Sequence, residues 1–396
     1  MEESPVCIVG GGPVGCFTAS ILARKKIDVV LFEQQQAAGL PVQCAGLVTP
    51  RVIELLPFSK KKVIQTALTG ANIHSPDGEV FSIGGNKTHA YSIDRKVFDQ
   101  CLMKEAEKNG ATINLNQRIV SIQKQSNAIE LTTSKKHSIQ TSLLIGADGP
   151  YSKIRDVCNL PQPKEFLRGF GAYVTGTALE SDTVELFIGN SVAPGFFAWM
   201  IPITTDGTKA KIGLCITTNA QHPPIYYFKK LFSNPVSAPY LKKASIQTKI
   251  AGIIPLGALK QTVDDNLMLV GDAAAQVKPT SGGGLYPGLL CAKHCAKTAE
   301  KAVKNRQYHQ SFLEQYHDSW TKDLGRELKM GMQFRKIYTK IHDDQFNAYI
   351  RKFKEKEIEQ VVTDHGDMDY PSKLAKPVLK KIPSLLKFIP AMLTHH

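Results

Sequence analysis

Three glycines, an acid and a cysteine near the start of the chain have types and spacings that could do chemistry. Gly10, Gly12 and Gly15 stand at GxGxxG spacing within SPVCIVGGGPVGCFTASILARKKIDVVLFEQ, with Val14 inside the turn and Glu33 near its end. In such a turn the first glycine permits a tight bend. The second lets backbone N–H groups approach a pyrophosphate, and the third lets a helix pack against a strand. A carboxylate at Glu33 can accept hydrogen bonds from ribose hydroxyls. Cys44 follows in PVQCAGLVTP, beside Ala45. A thiol there can be a reactive group, a metal ligand or a small buried filler.

These residues need elements to hold them. Val6 to Val9 reads as a short apolar strand, Phe17 to Arg24 as a helix and Asp28 to Phe32 as a second strand. Strand, glycine turn, helix, strand and acid in this order form a dinucleotide-binding unit, with the helix N-terminus facing phosphate charge. Further on, LLIGADGPYSKIR runs from an apolar strand into Gly146, Asp148 and Gly149. NLMLVGDAAAQVKPTSGGGLYPGLLCAKHCAKTAEKAV is a strand, Gly271–Asp272, a glycine-rich turn and a long helix from about Leu285. The positive end of that helix points at whatever occupies the turn. Between about Phe166 and Val263, GFGAYVTGTAL, DTVELFIG, FFAWMIPI and KAKIGLCITT read as strands of a sheet with one buried face. After about Lys304 helix formers dominate until HGDMDYPSK breaks the pattern. The fold expected is α/β: a discontinuous Rossmann-type domain (1–160 and 263–303), an inserted antiparallel-sheet substrate domain (161–262) and a C-terminal helical region (304–396).

Bulk properties narrow the classes. A chain of 396 residues suits two or three domains. Its eight cysteines, Cys7, Cys16, Cys44, Cys101, Cys158, Cys215, Cys291 and Cys295, include no CxxC pair, which argues against a zinc site or a disulfide framework and for a reducing cytoplasm. The acidic N-terminus reads as no signal peptide, and no run of about 18 apolar residues suggests a membrane span. The net charge of +14 calls for a partner or a basic solvated surface. Without aromatic–basic interleaving, nucleic acid is not expected, and anionic lipid headgroups are the other candidate. PSKLAKPVLKKIPSLLKFIPAMLTHH has lysines, no acids and interleaved Leu379, Ile382, Leu385, Leu386, Phe388, Ile389 and Leu393. It can lie in a membrane interface or pack on the protein.

The N-terminal unit, GADG and GDAA together resemble FAD-dependent oxidoreductases of the aromatic-hydroxylase type. That resemblance implies FAD, with Asp272 toward its ribityl or pyrophosphate part and Gly283, Gly284 and Leu285 toward the isoalloxazine. It also implies a cofactor contact from Arg95 in SIDRKVFDQCL and a backbone contact near the adenine at Val120. PVQCAG resembles the PxxC segment of geranylgeranyl reductases, APGFFAWMIP their PGxYxWxFP motif, and QVKPTSGGGLYPGLL the KPTxGGG turn of archaeal digeranylgeranylglycerophospholipid reductases. The motif's tyrosine is Phe197 here and its phenylalanine is Ile201. FAWMIP also resembles the WxWxIP motif of flavin-dependent halogenases, but TGANIHSPDG has none of the lysine those enzymes need.

The resemblance implies a reductase that saturates isoprenoid chains of a prenylated lipid by hydride transfer from reduced flavin. Phe197, Trp199 and Pro202 would contact substrate, and Cys44, Tyr286 or a water in the glycine turn would supply the proton. With no second GxGxxG unit, the electron donor is NADPH at a transient site or reduced ferredoxin, a small acidic redox protein. The rivals are a monooxygenase of the aromatic-hydroxylase or halogenase type and a non-catalytic FAD-binding, membrane-associated protein. The setting expected is cytoplasmic and peripheral on the inner face of the membrane.

Overall fold

The computed structural model describes residues 2–85 and 87–383. Its first layer is an eight-stranded sheet whose parallel centre runs Leu267–Leu269, Ser138–Gly146, Glu2–Val9, Val29–Phe32 and Thr112–Asn114. Val6–Val9, Val29–Phe32, Leu143–Ile145 and Leu267–Leu269, at the middle of this sheet, are apolar runs because both faces are covered there, as parallel sheets require. On one face lie the helices Pro13–Arg24, Arg95–Lys108 and Leu285–Asn305, around Val6, Ile8, Leu22, Leu31, Phe98, Leu102 and Leu289. The other face packs Cys7, Val30, Leu144 and Leu269 against the antiparallel strands Ile119–Lys124 and Ile129–Thr133. The first helix starts at Pro13, earlier than the expected Phe17. Proline at a first helical position has its φ already set and gives up an N–H that no turn would use.

A seven-stranded sheet forms the second layer, in the order Ser245–Leu256, Glu165–Thr175, Lys209–Thr217, Phe197–Pro202, Thr183–Ile188, Gly70–His74 and Val80–Gly84. The four quoted strand segments all lie in it. It also recruits the hairpin 70–84 from inside the 1–160 stretch, through parallel pairing of Thr183–Phe187 with Gly70–His74. The outer face buries Ala172, Met200, Ile212 and Leu214 under the helix Pro224–Lys230. The inner face turns Phe197, Trp199 and Cys215 toward Val277 of the glycine-rich turn. A three-stranded sheet, Leu47–Val48, Ala90–Ile93 and Ile64–Leu68, bridges the two layers.

The C-terminal region is helical as expected. Gln310–Trp320 lies along Leu285–Asn305. Arg326–Tyr338 clamps the inner sheet: Arg335 pairs with Glu165 at 2.7 Å and donates to Gly195 O, and the Tyr338 hydroxyl donates to Phe196 O. No described helix is long and apolar enough to cross a membrane. Of the apolar tail residues, Ile382 is buried, whereas Leu385, Leu386, Phe388, Ile389 and Leu393 lie outside the described residues.

Candidate active site

The glycine turn has the geometry its spacing implies. Gly10 adopts φ +110°, and a Cβ there would stand 2.1 Å from Ala147 O. A Cβ at Gly15 would meet Gly10 O at 2.0 Å, so only glycine lets the helix close on the strand. Around Gly12 nothing lies within 4 Å of such a Cβ, which leaves the mouth of the turn open. No side chain caps this helix, so its first-turn N–H groups face the opening. Glu33 accepts from Gly11 N at 2.6 Å with one oxygen and from Gln35 N at 2.8 Å with the other. It thus braces the turn and keeps lone pairs free for hydroxyls. Val14 is wedged between Gly271 and Gly288 and locks the first turn to the GD segment. Val120 is 56% exposed on Ile119–Lys124, just beyond Gln117, whose N–H donates to Glu33 O.

Across the opening, Gly271 takes φ +70° and carries the chain into a short helical turn bearing Asp272. Desolvation pushes the Asp272 carboxyl up to about 6, against the pull of Arg95. A Cβ at Gly284 would press on Asp272 Oδ1 at 3.0 Å. Leu285 then opens the long helix, again without a side-chain cap. Two uncapped helix starts therefore meet, through Val14 and Gly288, each offering N–H groups and positive dipole to an anion. Asp148 Oδ1, Ser281 Oγ and Trp199 Nε1 are buried atoms without hydrogen-bond partners. Such groups are costly unless something satisfies them. A polyhydroxylated, twice-charged ligand suits this donor set.

The comparisons decide its class. The FAD binding domain family matches residues 3–319. The chain belongs to this family. It is 29% identical to a digeranylgeranylglycerophospholipid reductase of Methanococcus vannielii over 396 residues, 98% of each chain. A second relative, an uncharacterized protein of Methanocaldococcus jannaschii, is 31% identical over 96% of each chain. In fold the chain matches a geranylgeranyl bacteriochlorophyll reductase-like protein of Thermoplasma acidophilum, with TM-score 0.87 at 19% identity over 99% of this chain and 100% of the other. The halogenase PltM matches less closely, with TM-score 0.72 at 14% identity over 99% of this chain and 92% of the other. FAD is the cofactor, and the resemblance to the geranylgeranyl reductases holds over the whole length rather than in three motifs alone.

Beside the FAD turns, the PVQC loop lies on the inner face of the seven-stranded sheet. Gln43 O would be 2.7 Å from a Cβ at Gly252. Register aligns Gly252 with Gly169, and Gly171 with Gly213. These glycines form a floor without side chains, and Trp199 lies over Gly213, where a Cβ would come within 2.7 Å of its ring. Phe197 meets Trp199 edge-on at 6.2 Å and stacks on Phe196 at 4.3 Å. Ala45 packs in the cluster of Ile201 and Trp199, which joins the loop to this wall. Pro202 is a correction to the expected wall. The two-residue period turns it to the face of Ala198 and Met200, and its carbonyl accepts from Thr66 Oγ1 at 2.7 Å.

Cys44 is partly buried, and its Sγ accepts from Gly46 N at 3.3 Å. Two cations flank it. Burial opposes the charge of Arg95, but Asp99 at 3.0 Å and the Cys44 sulfur outweigh that and hold its pKa up. The second cation, Lys211, was not anticipated. It is 1% exposed and donates to Ile93 O at 2.6 Å and Ser92 Oγ at 3.3 Å. Burial pulls it down to about 8, with Cys44 and Asp94 acting in the opposite sense. In KAKIGLCITT nothing marks this lysine, because the overlying loop that buries it comes from residues 44–46 and 92–94. Tyr286 is placed differently from Cys44. Its hydroxyl bonds the Tyr370 hydroxyl at 3.0 Å, and burial followed by that bond raises its pKa well above the usual range.

Proposed function

We propose that the protein is a flavin-dependent reductase that saturates isoprenoid (geranylgeranyl) double bonds of a prenylated lipid. One observation carries the reading: an aromatic wall of Phe197 and Trp199 shares the inner face of the sheet with the loop that bears Cys44, next to the FAD turn. The glycines let the PVQC loop and the Trp199 ring close onto the sheet, and the resulting apolar wall suits a chain that makes no polar contacts. Each methylene buried there contributes about 0.8 kcal/mol.

Bound and reduced, FAD supplies a hydride. The chain's residues must hold the alkene against it and deliver one proton to the other alkene carbon. Cys44 is the proton donor favoured by position, because its thiol lies near Cys215 and Lys211 of that face while the Tyr286 hydroxyl is engaged by Tyr370. Lys211 can return a proton to it, and Arg95, which stays protonated, balances the charge left on the sulfur. NADPH or a reduced ferredoxin delivers electrons, and the positive surface favours an acidic donor through steering. The same charge supports peripheral attachment to an anionic membrane surface on its cytoplasmic side. Stopped-flow reoxidation of the reduced protein by prenyl lipid without oxygen tests the reading. Reoxidation that depends on lipid concentration supports it, and a flavin that stays reduced for minutes opposes it.

A further inference from the structure

HGDMDYPSK reads in sequence as a break between helices, but in the fold it is a strap bolted to the FAD turn. Asp369, 1% exposed, accepts from Lys278 Nζ at 2.7 Å and from Arg51 at 3.0 Å. Lys278 also donates to Met368 O at 3.0 Å. Asp367 takes both nitrogens of Arg51, at 2.8 and 2.9 Å, together with Lys373 at 2.8 Å and the N–H groups of Asp369 and Tyr370. Ser372 bonds Glu327 through its N–H and its hydroxyl. The strap therefore has no unpaired carboxylate at its buried end.

Lys278 is also the base of the glycine turn. Its N–H donates to Gly283 O, its carbonyl accepts from Gly282 N at 2.9 Å, and its Cε stands 2.9 Å from where a Gly283 Cβ would be. Tyr370 reaches the other side of the same turn through the hydroxyl of Tyr286, in the first turn of the helix that Leu285 opens. One lysine and one tyrosine thus belong to both structures. A buried ion pair that loses one partner leaves an uncompensated charge, so strap and turn must hold their arrangement together.

We propose that the strap 366–374 positions the FAD turn, Asp369 acting through Lys278 and Tyr370 through Tyr286, so that FAD binding and strap docking are coupled. The proposal rests on the FAD assignment. Coupling is reciprocal, so FAD must tighten the strap as much as the strap tightens FAD. The test is hydrogen exchange on the full chain, stripped of FAD and then reloaded, with flavin fluorescence reporting binding separately. Amides of 367–374 are expected to slow at least tenfold on FAD addition, together with those of 278–288. FAD bound with unchanged exchange in 367–374 overturns the coupling, and no FAD binding at all overturns the assignment beneath it. Asp369→Asn is expected to weaken FAD at least tenfold and speed exchange in 278–284, with partial rescue by Asp369→Glu, whereas Arg351→Ala, which breaks an exposed ion pair with Asp77 outside the strap, changes FAD affinity less than twofold. A folded Asp369→Asn protein with parental FAD affinity refutes the role of that residue.

Discussion

Lys211→Met separates a functional buried lysine from a structural one. In the folded protein Lys211 titrates at about 8 instead of 10.5, chiefly because burial disfavours its charge. The unfolded chain therefore binds more protons than the folded one between these values, and stability must rise with pH across that window. A shift of that size corresponds to roughly 3 kcal/mol, applied against the charged fold below pH 8 and relieved by pH 10.5. Methionine fills similar volume without charge, but it leaves Ile93 O and Ser92 Oγ without their donor, a loss of about 1–3 kcal/mol that is the same at every pH. The assay is urea unfolding of both proteins from pH 7 to 10.5. The parent should gain roughly 3 kcal/mol more than Lys211→Met over the upper part of that range. Parallel profiles would refute the buried, uncompensated charge. The variant should also lose turnover while keeping FAD, because the charge beside Cys44 is gone.

Three further outcomes follow from the same geometry. Gly252→Val should cost about 1–3 kcal/mol by overpacking and lift the PVQC loop off the sheet, read as faster alkylation of Cys44 by a thiol reagent; unchanged alkylation would contradict the contact with Gln43. In FAD-free protein the raised pKa of Asp272 makes its contribution greatest below about pH 4 and lost as pH rises through 6, so Asp272→Asn should flatten the stability profile there by at most roughly 3 kcal/mol. Cys44→Ser should keep FAD content and slow lipid-dependent flavin reoxidation at least tenfold; full turnover would return Cys44 to a packing role.

The parts legible in sequence are those whose information is local. Gly10, Gly12 and Gly15 carry their own geometry, and the strands from Phe166 onward carry a two-residue period. The parts that were not legible depend on pairings across long stretches of chain. Nothing in TGANIHSPDG says that residues 70–74 will pair in parallel with residues 183–187. Lys211 looks like an outward residue of an edge until the loop over it is known. Asp367 and Asp369 read as turn formers because Arg51 and Lys278, which neutralise them, are far away in the chain. Pro202 parts from Phe197 and Trp199 because strand alternation sends the members of one motif to opposite faces.

An enzyme that adds hydrogen to isoprenoid double bonds leaves its record in the mass of the product. The purified protein is reduced chemically without oxygen, mixed with an unsaturated prenyl lipid, and the experiment is repeated in air. Products heavier by about two mass units for each saturated bond, formed without oxygen, are the result expected of hydride and proton addition. A product heavier by one oxygen atom, formed only in air, would contradict the reductase and make the enzyme a monooxygenase.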